Sequence, residues 1–172
     1  LEVWKRLHER LGAATPLLII VGASGWQSRF IEDRIGRAHI AGTHIHIVKG
    51  LSTAALKHLM AGAAGLLMPS FIEGFGLPIV EAASLGAPVV ASDIEAHREV
   101  APASALLVDP IDGPGWERAV LSVLERHGSG RGSLSQSEAT GPRSISDWRG
   151  YFAQLGDFMA GLEPRRASDS RK

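Results

Sequence analysis

Leu66-Leu67-Met68-Pro69-Ser70-Phe71-Ile72-Glu73-Gly74-Phe75-Gly76-Leu77-Pro78-Ile79-Val80-Glu81-Ala82 reads as a strand, a glycine-rich turn and a helix in immediate succession. Three apolar residues form the strand and Pro69-Ser70 stop it. Gly74 and Gly76 let the backbone turn sharply and approach a ligand with no Cβ in the way. Pro78 suits the first helical position, where its missing N–H costs nothing, and Gly86 is well placed to end the helix after about Leu85. The N–H groups of Phe75, Gly76 and Leu77 would then face one point, at the positive end of the helix dipole. Such a point is an anion site, able to hold a diphosphate without a metal.

The pattern continues on both sides. Upstream, Val3, Leu7 and Leu11 share a helix face that Gly12 ends, and Leu17-Leu18-Ile19-Ile20-Val21 is apolar throughout, as expected of a strand covered on both faces. A polar segment over 26–41 carries Phe30, Ile31 and Ile35 at helical spacing, and Ile45-His46-Ile47-Val48 is a short strand. Ser52 can cap a helix holding Leu56, Leu59 and Met60. Downstream, Val89-Val90-Ala91-Ser92 and Ala105-Leu106-Leu107-Val108 are strands, and residues 116–125 (Trp116, Val120, Val123, Leu124) form an amphipathic helix. The Gly/Ser-rich stretch 128–142 reads as a flexible linker. A closing helix over 145–162 and an unstructured tail over 163–172 complete one domain, 1–162. Strands alternating with helices predict an α/β fold with a doubly wound, Rossmann-like parallel sheet. The loops after the strands then share one edge, where such folds bind ligands.

Composition narrows the function. The 172 residues are 45% hydrophobic and 21% charged, enough to bury a core. Eighteen Lys plus Arg balance eighteen Asp plus Glu, so binding of nucleic acid through bulk charge is not expected. Cysteine is absent, which removes disulfides, thiolate metal sites and cysteine nucleophiles. No apolar run approaches the ~20 residues a membrane-spanning helix needs. The first residues, Leu1-Glu2-Val3-Trp4-Lys5-Arg6, are neither a secretion signal nor an initiator Met, and the chain is expected to begin partway through a longer one.

Glu73 precedes the turn and Glu81 lies about one helical turn beyond it. A carboxylate accepts paired hydrogen bonds from vicinal hydroxyls such as those of a ribose or a hexose. Diphosphate between two such carboxylates describes a nucleotide-sugar. Equally, an acidic residue near a helix start stabilises the dipole by itself, and the turn can be only a tight connection. Spacing alone leaves both readings open.

The segment Glu73 to Glu81 resembles the E-x7-E motif of retaining glycosyltransferases of family 4, the group 1 type with the GT-B fold. Pro16-Leu-Leu-Ile-Ile-Val-Gly22, Leu51-Ser52, Gly86-Ala-Pro-Val-Val-Ala-Ser-Asp93, Arg98-Glu99-Val100 and Ala105-Leu-Leu-Val-Asp-Pro110 follow the pattern of that family's C-terminal half in order. The resemblance covers about residues 1–162. It implies a donor-binding domain of a hexosyltransferase whose first strand and N-terminal acceptor domain lie outside this chain, so that the chain alone is expected to be inactive. It implies Glu73 as the catalytic residue and Glu81 as the ribose ligand. Gly74, Phe75, Gly76 and Leu77 would hold sugar hydroxyls and diphosphate, and Gly22, Lys49, Leu51 and Ser52 would lie near the nucleotide. The donor implied is a UDP-, GDP- or ADP-hexose, with no cofactor and no bound metal, and the acceptor a glycan or lipid-linked sugar. The setting implied is cytoplasmic, with peripheral attachment to the inner face of a membrane left open.

Other residues invite functional readings that simpler ones outweigh. His44 and His46 share a strand face but lack a third metal ligand. His97-Arg98-Glu99 fits a structural helix start better than a phosphate contact. Asp93 and Asp109 end strands, where turn formation is the default. Ser24-Gly25 hints at a phosphate loop without its glycine pattern or lysine. The stripe Trp148, Phe152, Leu155, Phe158 and Met159 suits packing, part of it exposed. The alternatives to an enzyme half are a non-catalytic nucleotide-binding or scaffolding module of the same ancestry and, among enzymes, a nucleotide-sugar epimerase.

Overall fold

The computed structural model describes residues 1–22, 28–131 and 148–161. In chain order it runs α1 (Glu2–Leu11), β1 (Leu18–Val21), α2 (Ser28–Gly36), β2 (Ile45–Val48), α3 (Thr53–Gly62), β3 (Leu66–Met68), α4 (Leu77–Ser84), β4 (Val89–Ser92), α5 (Glu95–Val100), β5 (Leu106–Val108), α6 (Gly113–Arg126) and α7 (Trp148–Ala160). All strand pairs are parallel. This is the alternating α/β architecture expected from the pattern.

The local signals act where physical chemistry puts them. Ser52 accepts a hydrogen bond from the Ala55 N–H at 3.2 Å and so caps α3. Pro78 sits in the first turn of α4. Gly86, with φ at 71°, takes the left-handed position after that helix ends.

Two expectations need correction. The five strands do not form one continuous ladder: β1 pairs with β2, and β3, β4 and β5 form a second sheet. The two sheets are joined by side chains instead. Leu18 of β1 and Leu67 of β3 both pack on the core built from Trp4, Leu7, Ile35, Ile40, Ile45 and Val120. Nor is β1 covered on both faces, since Ile20 and Val21 are more than one-third exposed. A strand paired along one side only has neighbours on that side alone. β4, paired on both sides, is buried at every residue.

The linker expected over 128–142 begins differently. One π-type turn over His127–Arg131 prolongs α6, and the remainder lies outside the described residues. The start of the closing helix before Trp148, the 163–172 tail and Ser24-Gly25 lie outside them too. Within α7, Phe152, Leu155, Phe158 and Met159 are exposed.

Candidate active site

Parallel pairing puts the ends of β3, β4 and β5 side by side, and with them Pro69, Asp93 and Asp109. The turn after β3 reaches α4 through Gly76, the residue before its first turn, with φ 87° and ψ 41°. That is the left-handed region, open to glycine at little cost. Gly74 is not in that region, and a Cβ added to it would meet nothing within 4 Å. Only Gly76, then, needs to be glycine on conformational grounds, whereas Gly74 leaves open space.

The Gly76 carbonyl accepts the first helical bond from the Ile79 N–H at 3.0 Å. The N–H groups of Phe75, Gly76 and Leu77 make no hydrogen bond among the described residues. Those of Gly76 and Leu77 are unsatisfied donors of the kind every helix start leaves behind, and that of Phe75 belongs to the turn before it. Glu73 is half-buried and its Oε1 accepts a hydrogen bond from the Ser70 hydroxyl at 2.8 Å. Nothing in the strand-turn-helix reading pointed to Ser70, although a serine three residues before a carboxylate can bend back to it.

A cavity of about 320 Å³ opens beside the turn, lined on one side by Phe71, Ile72, Glu73 and Gly74. Its opposite wall is Ile94, Glu95, Ala96 and Glu99, at and around the start of α5. Of this wall the sequence singled out only Glu99, within His97-Arg98-Glu99, and favoured a structural role for it. Ile94, Glu95 and Ala96 were not legible as part of a site, because only the packing of α5 against the turn creates it. Among the lining residues are three carboxylates and no Lys or Arg. Such a surface suits hydroxyl groups, which donate to carboxylates, and leaves the amide end of α4 as the place for an anion. Phe71, Ile72, Phe75 and Leu77 are exposed around it.

The other expected site residues are distributed along the sheet edge. Glu81 lies four residues past Leu77 in α4, about 6 Å along the axis, and is half-buried. At the end of the first sheet, the Gly22 N–H donates to the Val48 carbonyl at 3.3 Å, so Gly22 and Lys49 stand next to each other. Lys49 pairs with Glu32 at 2.8 Å. Ser52 has its side-chain oxygen engaged as the α3 cap, and Leu51 is half-buried beside it. The cavity therefore unites Glu73 and Gly74 but includes none of Gly22, Lys49, Leu51, Ser52 or Glu81.

Asp93 and Asp109 behave as strand-end residues. Asp109 Oδ1 accepts the Ile111 N–H at 2.9 Å. Arg98 Nε donates to Asp93 Oδ1 at 2.5 Å, and this bond holds the Asp93 carboxyl below its ordinary range and the guanidinium above its own. His44 bonds the Thr15 carbonyl through Nδ1 at 3.1 Å, and its ring lies 4.9 Å from that of His8, tilted by 48°. Among the described residues, no group of three or more His, Cys, Asp or Glu is arranged to hold a metal ion. No helix among them is long and apolar enough to cross a membrane.

The family model described as "Glycosyl transferases group 1" matches residues 1–126, most of the chain and all of this site. The chain belongs to the group 1 glycosyltransferases. It is 35% identical over 108 residues to the O-antigen chain mannosyltransferase B of Escherichia coli, an alignment covering 63% of this chain and 28% of that protein. Its fold is that of solved GT-B glycosyltransferases, of which it forms a Rossmann-like half. Sucrose-phosphate synthase from Thermosynechococcus elongatus superposes with a TM-score of 0.69 at 22% identity, covering 92% of this chain and 41% of that one. Anabaena Alr3699/HepE, solved in complex with UDP and glucose, gives 0.58 at 16% identity, covering 94% and 53%. This group 1 glycosyltransferase chain thus spans less than two-thirds of each of these proteins.

Proposed function

We propose that this chain is the donor-binding part of a retaining hexosyltransferase that moves a mannosyl group from a nucleoside-diphosphate sugar onto a growing polysaccharide. The observation that carries this is the pairing of unbonded amides at Phe75, Gly76 and Leu77 with an adjoining carboxylate-lined cavity. The amides and the α4 dipole bind the diphosphate, and Glu73 holds hydroxyls of the transferred sugar. Glu81, one turn into α4, holds the ribose. Gly22 and the loop from Lys49 to Ser52 flank the nucleotide. The mannosyl assignment is supported by the O-antigen chain mannosyltransferase, and the nucleotide by the neighbour solved with UDP.

In the transfer, the bond from the sugar's anomeric carbon to the diphosphate oxygen breaks and a bond to the acceptor hydroxyl oxygen forms on the same face. The acceptor proton leaves with the diphosphate. The carbon passes through an oxocarbenium-like state, so no covalent nucleophile is required. The negative charge growing on the leaving oxygen is stabilised by fixed backbone dipoles that need no reorganisation. The acceptor, a glycan or lipid-linked sugar, is held by a further domain beyond this chain, which leaves the chain alone inactive.

Calorimetry with UDP-, GDP- and ADP-hexoses tests this reading. One of them binds, and Glu81→Ala weakens it about tenfold, the loss expected for a charged hydrogen-bond partner. In the complete enzyme, Glu73→Ala lowers turnover about a hundredfold. Absence of binding by all three donors refutes the assignment.

A further inference from the structure

His97 is fully buried at the start of α5, and two of its ring atoms have fixed surroundings. Nδ1 lies 2.9 Å from the Ser92 carbonyl oxygen. A carbonyl only accepts, so Nδ1 carries the proton, and in the neutral ring Nε2 is a lone-pair acceptor. Nε2 and the Ser92 hydroxyl are the two buried side-chain polar atoms among the described residues that have no hydrogen-bond partner. A buried polar group left unpaired is costly, and native structures rarely leave one without use. The ring carbon bonded to Nε2, Cδ2, lies 3.2 Å from where a Cβ on Gly76 would stand. An acceptor without a donor is therefore packed directly behind a turn whose N–H donors lack acceptors.

We infer that His97 is a positioning residue for the donor site: held by the Ser92 carbonyl, it backs the glycine turn, and its Nε2 accepts one of the three turn N–H groups so that the other two are fixed toward the diphosphate when it is bound. The inference rests on the proposed donor-binding function and names the residue that organises that site from behind. Its logic is local. The turn before α4 and the start of α5 form the two sides of the cavity, and His97 is a polar side chain of α5 that packs against the turn at Gly76 from the protein interior. A fixed acceptor behind Gly76 selects one orientation of the N–H groups out of the several that a two-glycine turn can adopt. Preorganised donors bind an anion better than donors ordered at the moment of binding.

Three variants of the full chain separate positioning from packing, with GDP-mannose and UDP-glucose as probes. His97→Asn keeps an N–H at the Nδ1 position and deletes Nε2. It is expected to leave the thermal midpoint near wild type and weaken the better probe about tenfold. His97→Gln, which reaches the Nε2 position, recovers most of that affinity. His97→Phe fills the space and binds no better than His97→Asn. In ¹⁵N imidazole spectra of the wild type, the His97 Nε2 resonance moves on addition of the probe, from that of an unbonded to that of a hydrogen-bonded acceptor. Wild-type affinity in His97→Asn, or an unmoved Nε2 resonance at saturation, overturns the inference and marks the nitrogen as the site of a buried water. Failure of the wild type to bind either probe or an ADP-hexose overturns the donor-binding reading, and this inference with it.

Discussion

At the scale of single residues, Gly74 and Gly76 look alike in the sequence and differ in the fold. Gly76 sits at φ 87°, and His97 Cδ2, Val100 Cγ2 and Ile79 Cδ1 lie 3.2, 3.4 and 3.6 Å from where a Cβ would stand. An alanine there adopts a left-handed backbone at a cost of about 1–2 kcal/mol and pushes on a buried ring besides. Gly76→Ala is expected to destabilise the chain by about 2–3 kcal/mol, a fall of about 5–10 °C in the thermal midpoint for a domain of this size. Gly74→Ala, facing open space, is expected to stay within about 0.5 kcal/mol. Calorimetric melting of both variants checks the contrast, and equal losses would refute it. The turn itself was legible because glycine and proline act locally. The role of His97 was not, because its partners come from the end of β4 and from a turn some twenty residues earlier in the chain.

At the scale of elements, most boundaries follow from caps and periodicity, and the shortfall at the start of α6 is instructive. The pattern of Trp116, Val120, Val123 and Leu124 places the start of a helix at Trp116, yet α6 begins at Gly113. Asp112 is the cap: its Oδ1 accepts the Gly115 N–H at 2.9 Å, and Pro114 occupies the first turn. Gly115 is constrained as well, since an added Cβ would meet the Asp112 carboxylate and lie 3.0 Å from Val108 Cγ1. Asp112→Ala leaves that N–H without its acceptor and is expected to cost about 1 kcal/mol. Asp112→Asn keeps an acceptor and recovers most of it. Denaturant titration of the pair checks this, and a neutral alanine variant would show that the cap contributes nothing. α6 matters beyond its own length because Trp116, Ala119 and Val123 pack on β4, the strand that ends at Ser92 and leads into α5.

At the scale of the whole molecule, the division of the strands into two sheets decides how the fold responds to stress. Alternation of strands and helices revealed the α/β class and the common edge, because both depend on local pattern. It could not reveal that β1 and β3 pack on one core without sharing hydrogen bonds, because that core draws Trp4 and Leu7 of α1, Ile35 of α2 and Val120 of α6 together from distant parts of the chain. β4 is paired on both sides and wholly buried, whereas β1 is paired on one side with Ile20 and Val21 partly exposed. Local stability follows buried contacts and protected backbone bonds, and it varies within one domain. The β1–β2 sheet is therefore expected to open without the β3–β4–β5 sheet. In native-state hydrogen exchange, the hydrogen-bonded amides of β1 and β2 should exchange at least about tenfold faster than those of β4, a gap of about 1.4 kcal/mol. The candidate site hangs on the second sheet: the glycine turn leaves β3, and His97 follows β4. Donor added in excess should accordingly slow exchange in β3, β4 and α5 more than in β1. Equal protection of both sheets, before and after donor, would mean that the shared core of Trp4, Leu7 and Val120 couples them into one cooperative unit, with Gly22 and Lys49 held as firmly as the turn.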